Sequence, residues 1–438
     1  MSNWKKISDF ITFSTKGITP KYVENSSIVV LNQKCIRNGI IDYSFSQFTD
    51  DTKQISETKF VKKGDILINS TGVGTAGRCA FVEELPSNKR LITDSHILLL
   101  RCSNYFEARC LSYLLFSFEK TLMSFMTGSS GQGELDKVVL LNLLTKLPEN
   151  SNIQQKIAKV LSDLDAKIEL NNKINAELEV MAKTLYDYWF VQFDFPNEEG
   201  KPYKSSGGKM IWNKELKREI PEGWEVKTIG DYCKSTGGFA FKSSWWSDEG
   251  LAVVKIKDIQ EDNTISLNDL SYADIPSYKI GDNFLAKPGN VLIAMTGATV
   301  GKFAIVPYTN EPLFVNQRVG YFNLGENPID KLPFLINSLN QKYFREAIFT
   351  LASGAAQPNI SNEQINNIAL LLPKKELILK FNSSLSSYYS KILNNQKENQ
   401  ELASFRDWLL PMLMNGQVSV GDVEEQLGMV AEQREEYK

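Results

Sequence analysis

The apolar residues between Ile157 and Trp189 fall on a heptad: Ile157, Leu161, Leu164, Ile168, then Asn171 and Asn175, then Leu178, Ala182, Leu185 and Trp189. The steps alternate between four and three residues, the spacing of a coiled-coil seam. Two asparagines stand where that seam should be apolar. The frame returns 224 residues on, from Ile157 to Phe381, as Phe381, Leu385, Tyr388, Ile392, Asn395, Asn399, Leu402, Arg406, Leu409 and Leu413. Both asparagines return in register. Two amphipathic helices often match by chance, but two polar breaks at the same seam positions seldom do. The chain is read as an internal repeat.

Landmarks outside the helices repeat as well. Lys287-Pro288-Gly289-Asn290-Val291-Leu292-Ile293 matches Lys62-Lys63-Gly64-Asp65-Ile66-Leu67-Ile68. Thr296-Gly297 answers Thr71-Gly72, and Gly301-Lys302 answers Gly77-Arg78 one residue out of step. Leu372-Pro373 answers Leu147-Pro148, and Trp224 answers Trp4. The repeating unit is a globular domain followed by a long helix. The expected organisation is a first domain over 1–150, a long helix over 151–192 and a linker over 193–223. A second domain over 224–374, a second long helix over 375–416 and a short acid-rich tail over 417–438 complete it.

Ile28–Leu31, Ile66–Ile68 and Ile97–Leu100 read as short buried strands between turn residues. Leu111–Phe125 has helical spacing, and Val138–Leu144 is an apolar run that periodicity leaves unassigned. Ser151 with Gln154 three residues on forms a capping box that starts the first long helix. That helix runs into Tyr186, Tyr188, Trp189 and Phe190 and must end before Pro196. The stretch Asn197–Gly223 is rich in glycine, serine and charge, and reads as a solvated linker. Pro411 predicts a kink or stop late in the second helix, and Asn415-Gly416 is a C-terminal signal.

Composition narrows the function classes. A net charge of −3 argues against a uniformly basic coat for nucleic acid but not against a local basic groove. The five cysteines form no C-x-x-C pair and the chain has one histidine, so a Cys/His zinc site is not expected. Unspaced cysteines, no apolar leader and no long apolar run predict a cytoplasmic, soluble protein without a membrane partner.

No stretch predicts catalysis. Gly72-Val73-Gly74-Thr75-Ala76-Gly77 fits G-x-G-x-x-G, but the copy at Gly297–Lys302 loses the pattern, so a tight glycine turn is the reading over a nucleotide site. Gly297–Lys302 is also one residue short of a P-loop and lacks its final Ser/Thr. His96 has Arg318 as its counterpart, which removes a histidine mechanism common to both halves. No nucleophile elbow and no metal-spaced carboxylates occur. The expectation is no enzyme, no cofactor and no metal.

A non-catalytic scaffold with two related heads remains. Antiparallel pairing of helices of roughly 33 residues, at about 1.5 Å per residue, would hold the heads about 50 Å apart on a pseudo-two-fold axis. Such a reader suits a target of two half-sites on a duplex. The expected fold class is α+β, with two repeated α/β domains joined by two long helices paired as an antiparallel coiled coil.

The chain resembles the specificity subunit of type I restriction-modification enzymes. The residues that carry the resemblance are Lys62–Ile68 with Thr71-Gly72, their copy at Lys287–Gly297, and Ser353-Gly354-Ala355-Ala356-Gln357-Pro358-Asn359. The stretches 200–208 and 220–224, and Arg406-Asp407-Trp408-Leu409-Leu410-Pro411, are also similar to that family. The first half keeps Gln132 within Gly128–Glu134 but lacks the Pro-Asn pair. The resemblance implies two target-recognition domains, each reading half of a bipartite sequence in double-stranded DNA. It also implies that the helices act as a ruler and dock two methyltransferase subunits, with motor-nuclease subunits joining the full complex. The alternative from another class is a coiled-coil protein-interaction adaptor; a DNA-modifying enzyme ranks third.

Bases are read by polar side chains on positioned loops. The candidates follow the repeat: Thr71 and Arg78 with Thr296 and Lys302 beside the glycine turn, Ser95 and Gln317 before the next strand, and Gln132 and Gln357 ahead of the final strand. Lys242 with Trp245 and Trp246 forms a basic aromatic loop in the second half alone. In the helix seam, Asn171 is expected to face Asn399, and Asn175 to face Asn395.

Overall fold

The structure, a computed structural model, describes residues 4–37, 39–52, 54–72, 74–87, 89–126, 133–353 and 358–421. The chain divides into two compact units, 1–166 with 402–438, and 167–401.

In the first unit a four-stranded antiparallel sheet has the order Ile11–Lys16, Ile97–Cys102, Ile66–Asn69, Cys79–Phe81. Its central strands are apolar on both faces because both faces are covered. Ile66, Ile68, Leu98 and Leu100 pack with Leu111 and Leu114 of the helix Tyr105–Ser117. Leu67 and Leu99 point the other way, into a cluster with Val29, Leu31 and Leu91. Those last three belong to a second sheet, ordered Arg90–Thr93, Ile28–Leu31, Gln47–Thr49, Tyr22–Val23. Arg90–Thr93 runs parallel to Ile28–Leu31. The run left open at Val138–Leu144 is a short helix, Lys137–Asn142, capped by Asp136, followed by the strand Leu144–Thr145.

The second unit repeats this topology. Its antiparallel sheet is ordered Ser235–Gly237, Val319–Phe322, Val291–Ala294, Phe303–Ile305. Its second sheet again holds one parallel pair, Leu251–Val254 against Leu313–Val315. In each unit a strand near the start pairs with one near the end, Lys5–Lys6 with Leu144–Thr145 and Glu225–Thr228 with Ala369–Leu372. Gly64 and Gly289 occupy the same turn at φ +88° and +86°. Asp65 and Asn290 are both fully buried behind it.

The long helices span Ser151–Tyr186 and Lys375–Asn415. The first starts at Ser151, but its cap lies one residue earlier than expected. Asn150 Oδ1 accepts from the Asn152 amide at 2.8 Å, while Gln154 Nε2 donates to the Pro148 carbonyl at 2.7 Å. Asn150 therefore serves as the N-cap and Ser151 already lies in the helix. After Tyr186 the helix widens into a π turn over Asp187–Val191, and Phe193 at φ +70° ends it. Pro411 does not stop the second helix, which continues to Asn415. It ends at Gly416, φ +69°, where the Gln417 amide donates to the Met412 carbonyl at 2.9 Å.

Within the first unit, Ile157 and Leu161 share a core with Leu409 and Leu413, and Arg406 Nη1 donates to Asp165 Oδ1 at 2.7 Å. Within the second unit, Asn171 Nδ2 donates to Asn399 Oδ1 at 2.9 Å and Asn395 Nδ2 donates to Asn175 Oδ1 at 2.8 Å. Trp189 meets Phe381 with ring centroids 5.5 Å apart. In the second helix Tyr389, not Tyr388, is the buried tyrosine, and its hydroxyl accepts from Asn337 at 2.9 Å.

The segment read as a solvated linker is folded within the second unit. It carries a hairpin, Met210–Asn213 with Arg218–Pro221. Phe195 stacks on Tyr203 at 4.6 Å and on Trp224 at 5.2 Å. Phe193, Phe195 and Tyr203 are spaced without a period and so leave no amphipathic signature, yet they converge on one cluster, while Trp212 stays exposed. Trp224 is 6% exposed inside that cluster, whereas its sequence counterpart Trp4 is 62% exposed.

Candidate nucleic-acid interface

In each unit three segments meet at one edge of the antiparallel sheet. The first is the two-residue turn that carries the chain from the second sheet back to the first: Ser95-His96 in one unit, Gln317-Arg318 in the other. Its backbone is held identically in both. Asp94 Oδ1 accepts from the His96 amide at 2.8 Å, and Asn316 Oδ1 from the Arg318 amide at 3.2 Å. The carbonyl of His96 accepts from the Ser70 amide at 2.8 Å, and that of Arg318 from the Met295 amide at 3.1 Å.

The second segment is the glycine loop. Gly72, Gly74 and Gly77 in the first unit, and Gly297 and Gly301 in the second, have positive φ. Gly77 and Gly301 are also packing positions. A Cβ on Gly77 would stand 3.0 Å from the Glu119 carbonyl oxygen, and one on Gly301 2.7 Å from Ile348 Cγ2. Turn geometry and close packing account for these glycines. Between matched strand pairs the loop is one residue shorter in the second unit, which is why Gly301-Lys302 fell out of step.

The third segment leads to the long helix. Thr71 bridges to Glu134 and Thr296 to Asn359, both antiparallel. Leu135 donates to the Ser70 carbonyl at 2.7 Å and Ile360 to the Met295 carbonyl at 2.9 Å. The two halves therefore dock this segment alike although the first lacks Pro-Asn. Gln132 and Gln357 lie outside the described residues.

The sequence candidates thus fall into separate groups. Thr71 with Ser95, and Thr296 with Gln317, are brought together at the edge. Arg78 and Lys302 stand at the far end of the glycine loop, each facing an acid: Arg78 Nε is 3.6 Å from Glu119 and Lys302 Nζ 3.1 Å from Glu261. Lys242 is exposed, but Trp245 and Trp246 are half-buried, against Phe239 and Phe241. Lys242 Nζ lies 5.2 Å over the Trp245 ring and Lys255 Nζ 3.3 Å over that of Trp246. Burial lowers the Lys255 ammonium below its ordinary value, with Lys257 adding repulsion. The four seam asparagines lie away from this edge, in the long helices.

Sequence reasoning missed Gly17 and Gly238. A Cβ on Gly17 would fall 1.9 Å from the Asp94 carbonyl oxygen, and one on Gly238 2.3 Å from that of Val315. Both glycines let the chain cross directly under the turn. It also missed Gln33, whose Nε2 donates to Thr71 Oγ1 at 2.9 Å, and the contact of Thr71 Oγ1 with His96 Nδ1 at 2.8 Å. Burial raises the Asp94 carboxyl above the ordinary carboxylate range, against the opposing hydrogen bond from His96.

Among the described residues no group of His, Cys, Asp and Glu is arranged to hold a metal ion. None of their helices is long and apolar enough to cross a membrane.

Two copies of one fold, each offering a turn of polar side chains on a rigid edge, define a repeated recognition scaffold. The chain belongs to the type I restriction-modification DNA specificity family, whose domain matches residues 1–180 and again 221–404. DNA target recognition is the task this membership gives it. Among curated proteins it is 26% identical to the type I restriction enzyme HindI specificity subunit of Haemophilus influenzae, over 95% of this chain and 100% of that one. It is 26% identical to the MjaVIII specificity subunit of Methanocaldococcus jannaschii, over 95% and 92%. A solved S subunit of a type I system from M. genitalium aligns over 94% of this chain and 96% of its own at 16% identity, with a TM-score of 0.49.

Proposed function

We propose that the chain reads a bipartite sequence in double-stranded DNA, one half-site with each domain, and performs no chemistry itself. The domains span 1–150 and 224–374, and each reads through the edge where its turn, glycine loop and following segment converge. The recurrence of that edge, in the hydrogen bonds that pin its turn and dock its following segment, is the observation that carries the reading. The long helices, 151–192 and 375–416, pair as an antiparallel coiled coil that fixes the gap between half-sites. Support for the pairing comes from inside each unit: the start of the first helix packs with the end of the second, and the end of the first with the start of the second. The same helices dock two methyltransferase subunits, and motor-nuclease subunits complete the assembly, in the cytoplasm. Family membership favours this over a protein-interaction adaptor.

The test is to map modified bases across the host genome with and without this gene. A two-part motif with an unread gap, present only with the gene, is expected. Unchanged modification on deletion, in cells expressing the partner subunits, would defeat the reading. The purified chain alone should neither methylate nor cleave DNA.

A further inference from the structure

The two edge turns share a backbone but differ in the side chain at their second position, His96 in one unit and Arg318 in the other. Both side chains are exposed. Both backbones are pinned from below by the amides of Ser70 and Met295, and Gly17 and Gly238 cross beneath them. A substitution at this position therefore changes what the turn presents and leaves the turn itself alone.

We propose that His96 and Arg318 are specificity-determining residues at equivalent positions of the two domains, each presenting a hydrogen-bond donor to the acceptor edge of a base. The assignment rests on the reading of the chain as a reader of two half-sites. Arg318 carries a planar fork of donors matched to O6 and N7 of guanine. Its guanidinium has no hydrogen-bond or ion-pair partner among the described residues, unlike Lys302, which faces Glu261.

His96 is tuned by its neighbours. Gln33 Nε2 donates to Thr71 Oγ1 at 2.9 Å, so that oxygen already serves as an acceptor. In the proposed arrangement the single hydroxyl hydrogen of Thr71 goes to His96 Nδ1, 2.8 Å away, so that the Thr71 oxygen both accepts and donates. With Nδ1 accepting, the ring hydrogen of the neutral imidazole sits on Nε2, the nitrogen left for DNA. The first domain thus offers one donor where the second offers a fork. One donor matches one acceptor, a purine N7 or a thymine O4, so the first half-site is read less stringently at this position than the second. Gln33 and Thr71 act as positioning residues for His96.

The experiment uses the full chain assembled with its methyltransferase subunits and selects duplexes with randomised half-sites. Arg318→Ala is expected to lose roughly 5- to 150-fold discrimination at one position of the second half, the equivalent of about 1–3 kcal/mol for a bidentate base contact. The first half stays unchanged. His96→Arg shifts one position of the first half toward guanine, and His96→Ala relaxes it. Thr71→Val, which leaves the Gln33 bond to the Thr71 carbonyl in place and removes only the hydroxyl, relaxes that same position. Unchanged preference in both halves overturns the assignment, as does a uniform loss of affinity for all sequences, which marks phosphate contacts. If the wild-type assembly selects no two-part sequence, the underlying reading fails, a result distinct from a failure of the His96 and Arg318 assignment alone.

Discussion

Asn395 donates to Asn175 across 2.8 Å between the two long helices, and both side chains are buried. The seam amides are incompletely satisfied: Asn395 Oδ1 here and Asn171 Oδ1 in the neighbouring pair with Asn399 are buried without a hydrogen-bond partner. Buried amides in an apolar seam fix alignment at a cost in stability, about 1–3 kcal/mol for each group left unpaired. Replacing Asn171, Asn175, Asn395 and Asn399 together with leucine should keep or raise the thermal midpoint. Distances between spin labels on the two helices should broaden as alternative alignments open. A sharp fall in midpoint with an unbroadened distance distribution would contradict this account.

The buried carboxylate of Asp65 is met by Arg101, Nε to Oδ1 at 2.6 Å and Nη2 to Oδ2 at 2.7 Å. At the equivalent turn Asn290 Oδ1 accepts from the Tyr321 hydroxyl at 2.6 Å. One half solves the site with charge, the other without. Arg101→Met leaves a buried charge unpaired and should destabilise the chain by about 3–5 kcal/mol in chemical denaturation. Asp65→Asn placed on top of it should recover much of that loss. Equal stability of the single and double variants would show that the carboxylate carries no penalty.

Asp94 and Asn316 cap the same turn, one ionisable and one not. Burial raises the folded-state value of Asp94, so its favourable contribution is complete below the unfolded value and disappears as pH rises through the folded one. Asp94→Asn retains the acceptor for the His96 amide and removes the charge. Its unfolding midpoint should match the wild type in acid and exceed it by a margin that grows as pH rises from the unfolded to the folded value of Asp94, and then levels off. A pH-independent difference would place the effect elsewhere.

Trp224→Ala should cost about 3–5 kcal/mol, the usual result of truncating a buried aromatic, whereas Trp4→Ala should change the denaturation midpoint little. Equal effects would mean that the folded segment before Trp224 adds nothing to its packing.

Inserting four residues near Asn171 lengthens the helix by roughly 6 Å and nearly preserves its apolar face. At about 3.4 Å per base pair, the gap in the modified motif should grow by up to ~2 base pairs while both half-sites keep their bases. Unchanged spacing at full activity would show that the helices do not measure DNA.

What the sequence made legible was local. Gly64 and Gly289 announce their turn because the requirement for positive φ lies in the residue itself. Gly17 and Gly238 went unnoticed because their requirement comes from carbonyls nearly 80 residues away, those of Asp94 and Val315. The segment before Trp224 was mistaken for a linker because Phe193, Phe195, Tyr203 and Ile220 share no period, although they share a cluster. At the edge itself, Thr71, Ser95, Thr296 and Gln317 were found through the repeat. Arg318 was seen only as the counterpart of His96, and the role of Gln33 depends on a side-chain contact that spacing cannot express.

The edge turns owe their shape to main-chain amides and to two glycines beneath them, not to the side chains they display. Drift at Ser95, His96, Gln317 and Arg318 is therefore nearly neutral for folding and, under the proposed assignment, consequential for what is recognised. On that assignment a lineage carrying this scaffold would acquire a new target through single substitutions, one half at a time, without passing through an unfolded ancestor.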